Sequence, residues 1–163
     1  MERRLSWIEH QLKRVLALET PRRAYGAMYA DDVSHLVVVA AASVYYPITG
    51  SLSAGLTHGV TFQSASQLLI SYPGTYLINW AMSLAAGNND HLEGAIMVNS
   101  TVSGAGETAA HTPGPGDQIA VSGTAILALS AGDIVRLCVE NESDADDITL
   151  AHASMTVVLI GPA

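Results

Sequence analysis

Carboxylates crowd one short stretch of this chain: Glu140, Glu142, Asp144, Asp146 and Asp147. An oxygen-rich loop of this composition can hold a hard cation such as calcium. The spacing is not that of an EF-hand, so the stretch reads first as a solvated acidic loop, with calcium the ion it would take if it took one. The six histidines, His10, His35, His58, His91, His111 and His152, share no i, i+2 or i, i+4 spacing and form no ligand motif in sequence. Gly104-Ala105-Gly106 is followed by Glu107 with no basic residue nearby, which makes it a loop and not a phosphate cradle. No nucleophile elbow, phosphate-binding loop or zinc pattern is present. No catalytic residue, metal ligand or cofactor is therefore assigned, and a non-enzyme is expected. The single cysteine, Cys138, sits in the apolar run from Ile134 to Val139, where a buried, inert thiol is expected.

The basic residues are as unevenly spread as the acids. Six of the seven, Arg3, Arg4, Lys13, Arg14, Arg22 and Arg23, precede Ala24, against three acids there, for a net charge of about +3. The remainder holds one arginine and twelve acids, about −11. This separates a basic arm, residues 1–23, from an acidic body, residues 24–163. Leu5, Ile8, Leu12 and Val15 follow 3-4-3 spacing, so residues 2–19 are predicted to form an amphipathic helix, ended by Thr20-Pro21. So short a helix cannot stand alone in water. It must pack on the body, join a neck of several chains, or dock on a partner. Arg3, Arg4, Leu5, Trp7, Ile8, Leu12, Arg14 and Val15 are the candidate partner-binding residues. The clean apolar stripe, the interleaved glutamates and the acidic body favour an acidic protein surface over nucleic acid or membrane, neither of which is expected as a partner.

The elements that must carry these residues are strands. Apolar residues make up 49% of the 163-residue chain and charged residues only 13%, a composition suited to one closely packed domain with a short appendage. No apolar run reaches the roughly eighteen residues of a membrane-spanning helix. The N-terminus lacks an uncharged signal core, so the chain is expected to be made and folded in a cytoplasm, and Asn99-Ser100-Thr101 and Asn141-Glu142-Ser143 read as coincidental glycosylation patterns. From Tyr25 onward breakers recur at short intervals. Strands are predicted near Gly26–Ala30, Leu36–Tyr46, His58–Phe62, Gln67–Ser71, Thr75–Ala86, Leu92–Asn99, Asp117–Leu129, Ile134–Glu140 and Ile148–Ile160. Pro47 to Gly55 and Gly104 to Gly116 are read as connections. Val37 to Ala42, apolar on both faces, suits a strand covered from both sides. That many evenly punctuated strands imply an all-β sandwich or jelly roll.

Three segments narrow the fold further: Gly74-Thr75-Tyr76-Leu77-Ile78-Asn79-Trp80, then Leu129 to Leu137 with the turn Ala131-Gly132-Asp133, then Ser154 to Gly161. In this order they resemble the jelly roll of the tumour necrosis factor and complement globular-head superfamily, over roughly residues 24–162. The resemblance implies a homotrimeric head with chain starts near the threefold axis, and some members bind calcium at the head. Heads of this kind without a signal sequence resemble virion proteins of tailed phages. The reading is therefore a trimeric capsid decoration, cement or head-fibre protein, anchored by its arm on the major capsid or another virion protein and assembled in the host cytoplasm. The alternative is a receptor-binding head for host glycan or protein, with loops around Gly50, Asn88 to Asp90 and Gly104 to Gly116 as contact edges. Fold alone separates the two poorly, because one fold serves many roles.

Overall fold

Alternation of apolar and polar side chains governs the architecture, because each strand has one face to bury. The computed structural model describes residues 23–162. The helix predicted over residues 2–19, with Arg3, Arg4, Leu5, Trp7, Ile8, Leu12, Arg14 and Val15, lies outside the described residues. The strands are β1 (Tyr25–Ala30), β2 (His35–Val37), β3 (Tyr46–Pro47), β4 (Ser53–His58), β5 (Val60–Gln63), β6 (Gln67–Ile70), β7 (Gly74–Ala85), β8 (His91–Val98), β9 (Thr101–His111), β10 (Ile119–Leu129), β11 (Ile134–Asn141) and β12 (Ile148–Gly161). Every pairing among them is antiparallel. One sheet runs β10-β7-β12-β1-β4, with β2 beside β12, and the other β5-β6-β11-β8-β9, with β3 beside β11. This is the jelly-roll sandwich that the three segments imply.

The core lies between the sheets. From β7 it takes Tyr76, Ile78, Trp80, Met82 and Leu84, and from β11 Val135, Leu137 and Val139. In β12 the inward series Ile148, Leu150 shifts to Ala153, Met155, Val157, and the register breaks between Leu150 and His152. A bulge there keeps the apolar set facing inward along a long, twisted strand. Trp80 lies between the sheets: a Cβ at Gly94 of β8 would sit 2.8 Å from its ring, and one at Gly123 of β10 would sit 2.8 Å from its Nε1 and 2.0 Å from the Gly106 carbonyl. Glycine at 123 is what lets β10, β9 and the indole meet.

Three sequence expectations change. The strand expected over Leu36–Tyr46 is two short pieces, β2 and β3, joined by a turn with Ser43 at φ 57°. Val37 and Val39 are buried while Val38 is 64% exposed, so the segment is not covered from both sides. Its backbone is held by side chains instead: Val39 N–H donates to Asp147 Oδ1 at 2.9 Å, and the N–H groups of Ala40 and Ala41 donate to the Tyr46 hydroxyl. β4 occupies part of the Pro47–Gly55 connection, and β9 most of Gly104–Gly116. The Gly104 loop proposed as a contact edge is therefore largely an edge strand.

The outer face of the second sheet is partly covered. Ala95, Met97 and Cys138 pack there beneath Tyr45 and Val102. Burial, with Glu107 and Glu140 nearby, pushes the Cys138 thiol up to about 12. The thiolate is the reactive form, so Cys138 is expected to resist a thiol reagent at neutral pH in the folded protein and to react fully in denaturant. Titration with a chromogenic disulfide under both conditions checks this.

Candidate functional site

Two surfaces of the sandwich stand out, one on each sheet. On the first sheet, strand register lines up outward side chains in rows. Tyr25 of β1, Val158 of β12, Leu77 of β7 and Ile126 of β10 form the first; Ala27, Thr156, Asn79 and Thr124 the second; Tyr29, Ser154, Ala81 and Ser122 the third. None of these residues is charged. Ile126 is 61% exposed and Tyr29 49%. The Tyr25 ring stacks on His58 of the neighbouring edge strand, centroids 5.8 Å apart. Beside the third row, Tyr29, Ala81, Ser83, Ala120 and Ser154 line a shallow hollow, with His152 and Asp31 paired at its margin at 3.2 Å. A body with a net charge of about −11 that keeps these twelve positions on four adjacent strands free of charge presents a surface suited to a protein contact.

The second surface lies at one end of the outer face of the second sheet. Register places Glu140 of β11 opposite Glu93 of β8, and His91 opposite His111 of β9. Glu107, two residues before the Ala109 that opposes Glu93, shares that face. Just past β11 the chain is pinned: Glu142 N–H donates to the His91 carbonyl at 2.9 Å, and His91 N–H to Ser143 Oγ at 2.9 Å. His91 Nδ1 contacts Glu142 Oε2, and the His91 and His111 rings stack with centroids 4.6 Å apart. The Tyr45 hydroxyl donates to Glu93 Oε2 at 2.7 Å. Burial, then the neighbouring Glu93, hold the Glu140 carboxyl above its ordinary range. Burial and a hydrogen bond with Glu93 do the same to Glu107, against a lowering contact from Tyr45.

The acidic stretch does not act as one loop. Glu140 is on the strand and Glu142 turns to His91. Asp147 is taken by the Val39 N–H. Asp90, Asp144 and Asp146 converge, but around a donor from the protein itself: Asn141 Nδ2 donates to Asp90 Oδ2 at 3.0 Å and to Asp144 Oδ1 at 2.9 Å, and Gly87 N–H donates to Asp90 Oδ2 at 2.8 Å. Calcium across all five acidic residues does not fit this arrangement. Sequence spacing missed the His91 cluster because its members come from three strands and a loop; the i, i+2 pair His91 and Glu93 was the only local signal.

No family model matches the sequence, and no curated protein matches it. Solved structures match the fold. The Eiger tumour necrosis factor from S. frugiperda superposes with a TM-score of 0.62 at 16% identity, over 87% of this chain and 96% of that one. The globular domain of the zebrafish complement 1qA protein gives 0.57 at 16% identity, over 86% and 99%. Murine APRIL gives 0.56 at 10% identity, over 83% and 99%. These similarities establish a tumour-necrosis-factor-like jelly roll.

Proposed function

We propose that this chain is a non-enzymatic homotrimeric head that mediates attachment, with the uncharged outer face of β10-β7-β12-β1 as its self-association surface and the basic segment 1–23 as its anchor. The observation that carries the reading is that face: twelve outward residues in three rows, none charged, on a strongly acidic body. The count of three rests on the jelly-roll likeness. In its specific form the head is a decoration or cement protein of a virion, its arm seated on the major capsid protein or another particle protein. A lysine-poor, compact body joined directly to a basic arm suits a cement role better than an extended fibre.

The arm alone buries too little apolar surface to hold three chains, so a chain beginning at Ala24 is expected to stay trimeric. Losing the arm removes the anchor, and binding to the particle should fall at least about tenfold. Sedimentation of the full-length and shortened chains, with co-sedimentation on particles lacking the protein, tests both parts. A shortened chain that is monomeric at micromolar concentration sinks the self-association surface; one that decorates particles at full occupancy places the anchor on the head. Particles lacking the protein that stay intact but no longer adsorb to host cells would favour the receptor-binding alternative.

A further inference from the structure

We propose that His91, Glu93 and Glu142 form a binding site for a divalent transition-metal ion of the zinc class, tying β8 to the loop after β11. One ligand atom from each of the three lies within 4.8 Å of the others. Tetrahedral zinc with bonds of about 2.0–2.2 Å sets its ligand atoms about 3.3–3.6 Å apart, so side-chain rotations moving these atoms by about 1 Å would close the set. One imidazole with two carboxylates suits a borderline ion; calcium and magnesium favour oxygen alone.

A second, independent observation points to an ion. Glu140 is only 6% exposed and faces the same side of the sheet directly opposite Glu93, and its carboxylate accepts no hydrogen bond from any described residue. An ionised carboxylate withdrawn from water without a partner is costly. Among the described residues, no arginine or lysine pairs with Glu93, Glu107, Glu140 or Glu142; His91 with Glu142 is their only ion pair. A divalent cation beside Glu93 and Glu142 supplies the missing positive charge.

The surroundings are those of a prepared site. Stacking on His111 fixes the His91 ring, and the Tyr45 hydroxyl holds Glu93 by Oε2. Such outer contacts orient ligands and strengthen binding. The backbone bond from Glu142 N–H to the His91 carbonyl, and the bond from His91 N–H to Ser143 Oγ, set the loop against the strand before any ion arrives. The Asp90, Asp144 and Asp146 cluster is not a competing site, since Asn141 and Gly87 already fill its interior with N–H donors.

Calorimetric titration of the untagged full-length chain with Zn2+, after chelator treatment, tests the site. One ion per chain is expected, with affinity lowered at least about tenfold in His91→Ala and in Glu142→Gln and unchanged in Asp144→Asn/Asp146→Asn. The visible spectrum of bound Co2+, altered in His91→Ala, is the second readout, and circular dichroism verifies that each variant is folded. Absence of saturable Zn2+ binding overturns the proposal, as does full-strength binding by folded His91→Ala and Glu142→Gln variants. Displacement of Zn2+ by equimolar Ca2+ overturns the class of ion. The site lies on the opposite sheet from the self-association face, so its failure and the failure of that reading are separately visible.

Discussion

Replacing Trp80 by alanine is expected to destabilise the head by about 3–5 kcal/mol, from lost burial and the cavity left behind. For a chain of this length that corresponds to a fall in melting temperature of about 6–20 °C at fixed protein concentration. The indole is 3% exposed and fills the space between the sheets, where Gly94 and Gly123 leave room for nothing but hydrogen beside it. Neither neighbour can expand to close the gap, so little relaxation offsets the loss. Trp80→Phe should cost less, under about 2 kcal/mol, because it keeps most of the ring and removes an indole N–H that is buried without a partner in the described structure. Trp7, in the arm, serves as the comparison: its replacement by alanine should leave the head's transition in place. Thermal melts of the three variants decide the matter, and a Trp80→Ala shift as small as that of Trp7→Ala would contradict the burial of Trp80.

The contrast between what the residues announced and what they concealed follows the sandwich itself. Central strands bury one full face, so β7 alternates strictly through Tyr76, Ile78 and Trp80, while β11 turns Val135, Leu137 and Val139 inward and is covered on its other face at Cys138 and Glu140. Both were legible, and together with β12 they held the segments on which the fold resemblance rests. The missed strands, β4 and β9, lie at sheet edges. β4 is exposed along almost its whole length, and β9 is mostly glycine, alanine, serine and threonine, with Gly106 at φ 77°. An edge strand with so little to bury has no period to read, and its glycines look like turn residues. Val37 to Ala42 failed for the opposite reason. Its composition promised burial on both faces, but side-chain hydroxyl and carboxylate acceptors took its N–H groups and the chain turned away from the sheet.

Site geometry was less legible than fold. The five clustered acidic residues suggested one cation loop, yet strand pairing sends Glu140 to Glu93 while Asp147 caps Val39. Nothing local in the sequence reveals that His91 meets His111 or Glu142. The uncharged face was equally hidden. Its rows combine residues from four strands scattered between Tyr25 and Val158, and each strand alone contributes only three of them. Only register shows that the outward positions share a lack of charge.

That face supplies the second large effect. Ala81 is exposed at the middle of the third row, flanked across the strands by Ser154 and Ser122. Glutamate there points into solvent in a single chain and should leave the fold intact. In a trimer built through this face it would withdraw a charge from water with no cation opposite, since none of the twelve row residues is basic. An uncompensated buried charge costs about 3–5 kcal/mol, and each 1.4 kcal/mol is about tenfold in affinity. Ala81→Glu is therefore expected to weaken self-association at least about a hundredfold, giving monomers at micromolar concentration with unchanged circular dichroism. Thr61→Glu places the same charge on an exposed position of β5, in the other sheet, and should remain trimeric. Analytical ultracentrifugation of the two variants beside the parent protein reads the result directly. Were Ala81→Glu to sediment as a trimer, the contact would have to lie elsewhere, and the lack of charge on this face would need another cause.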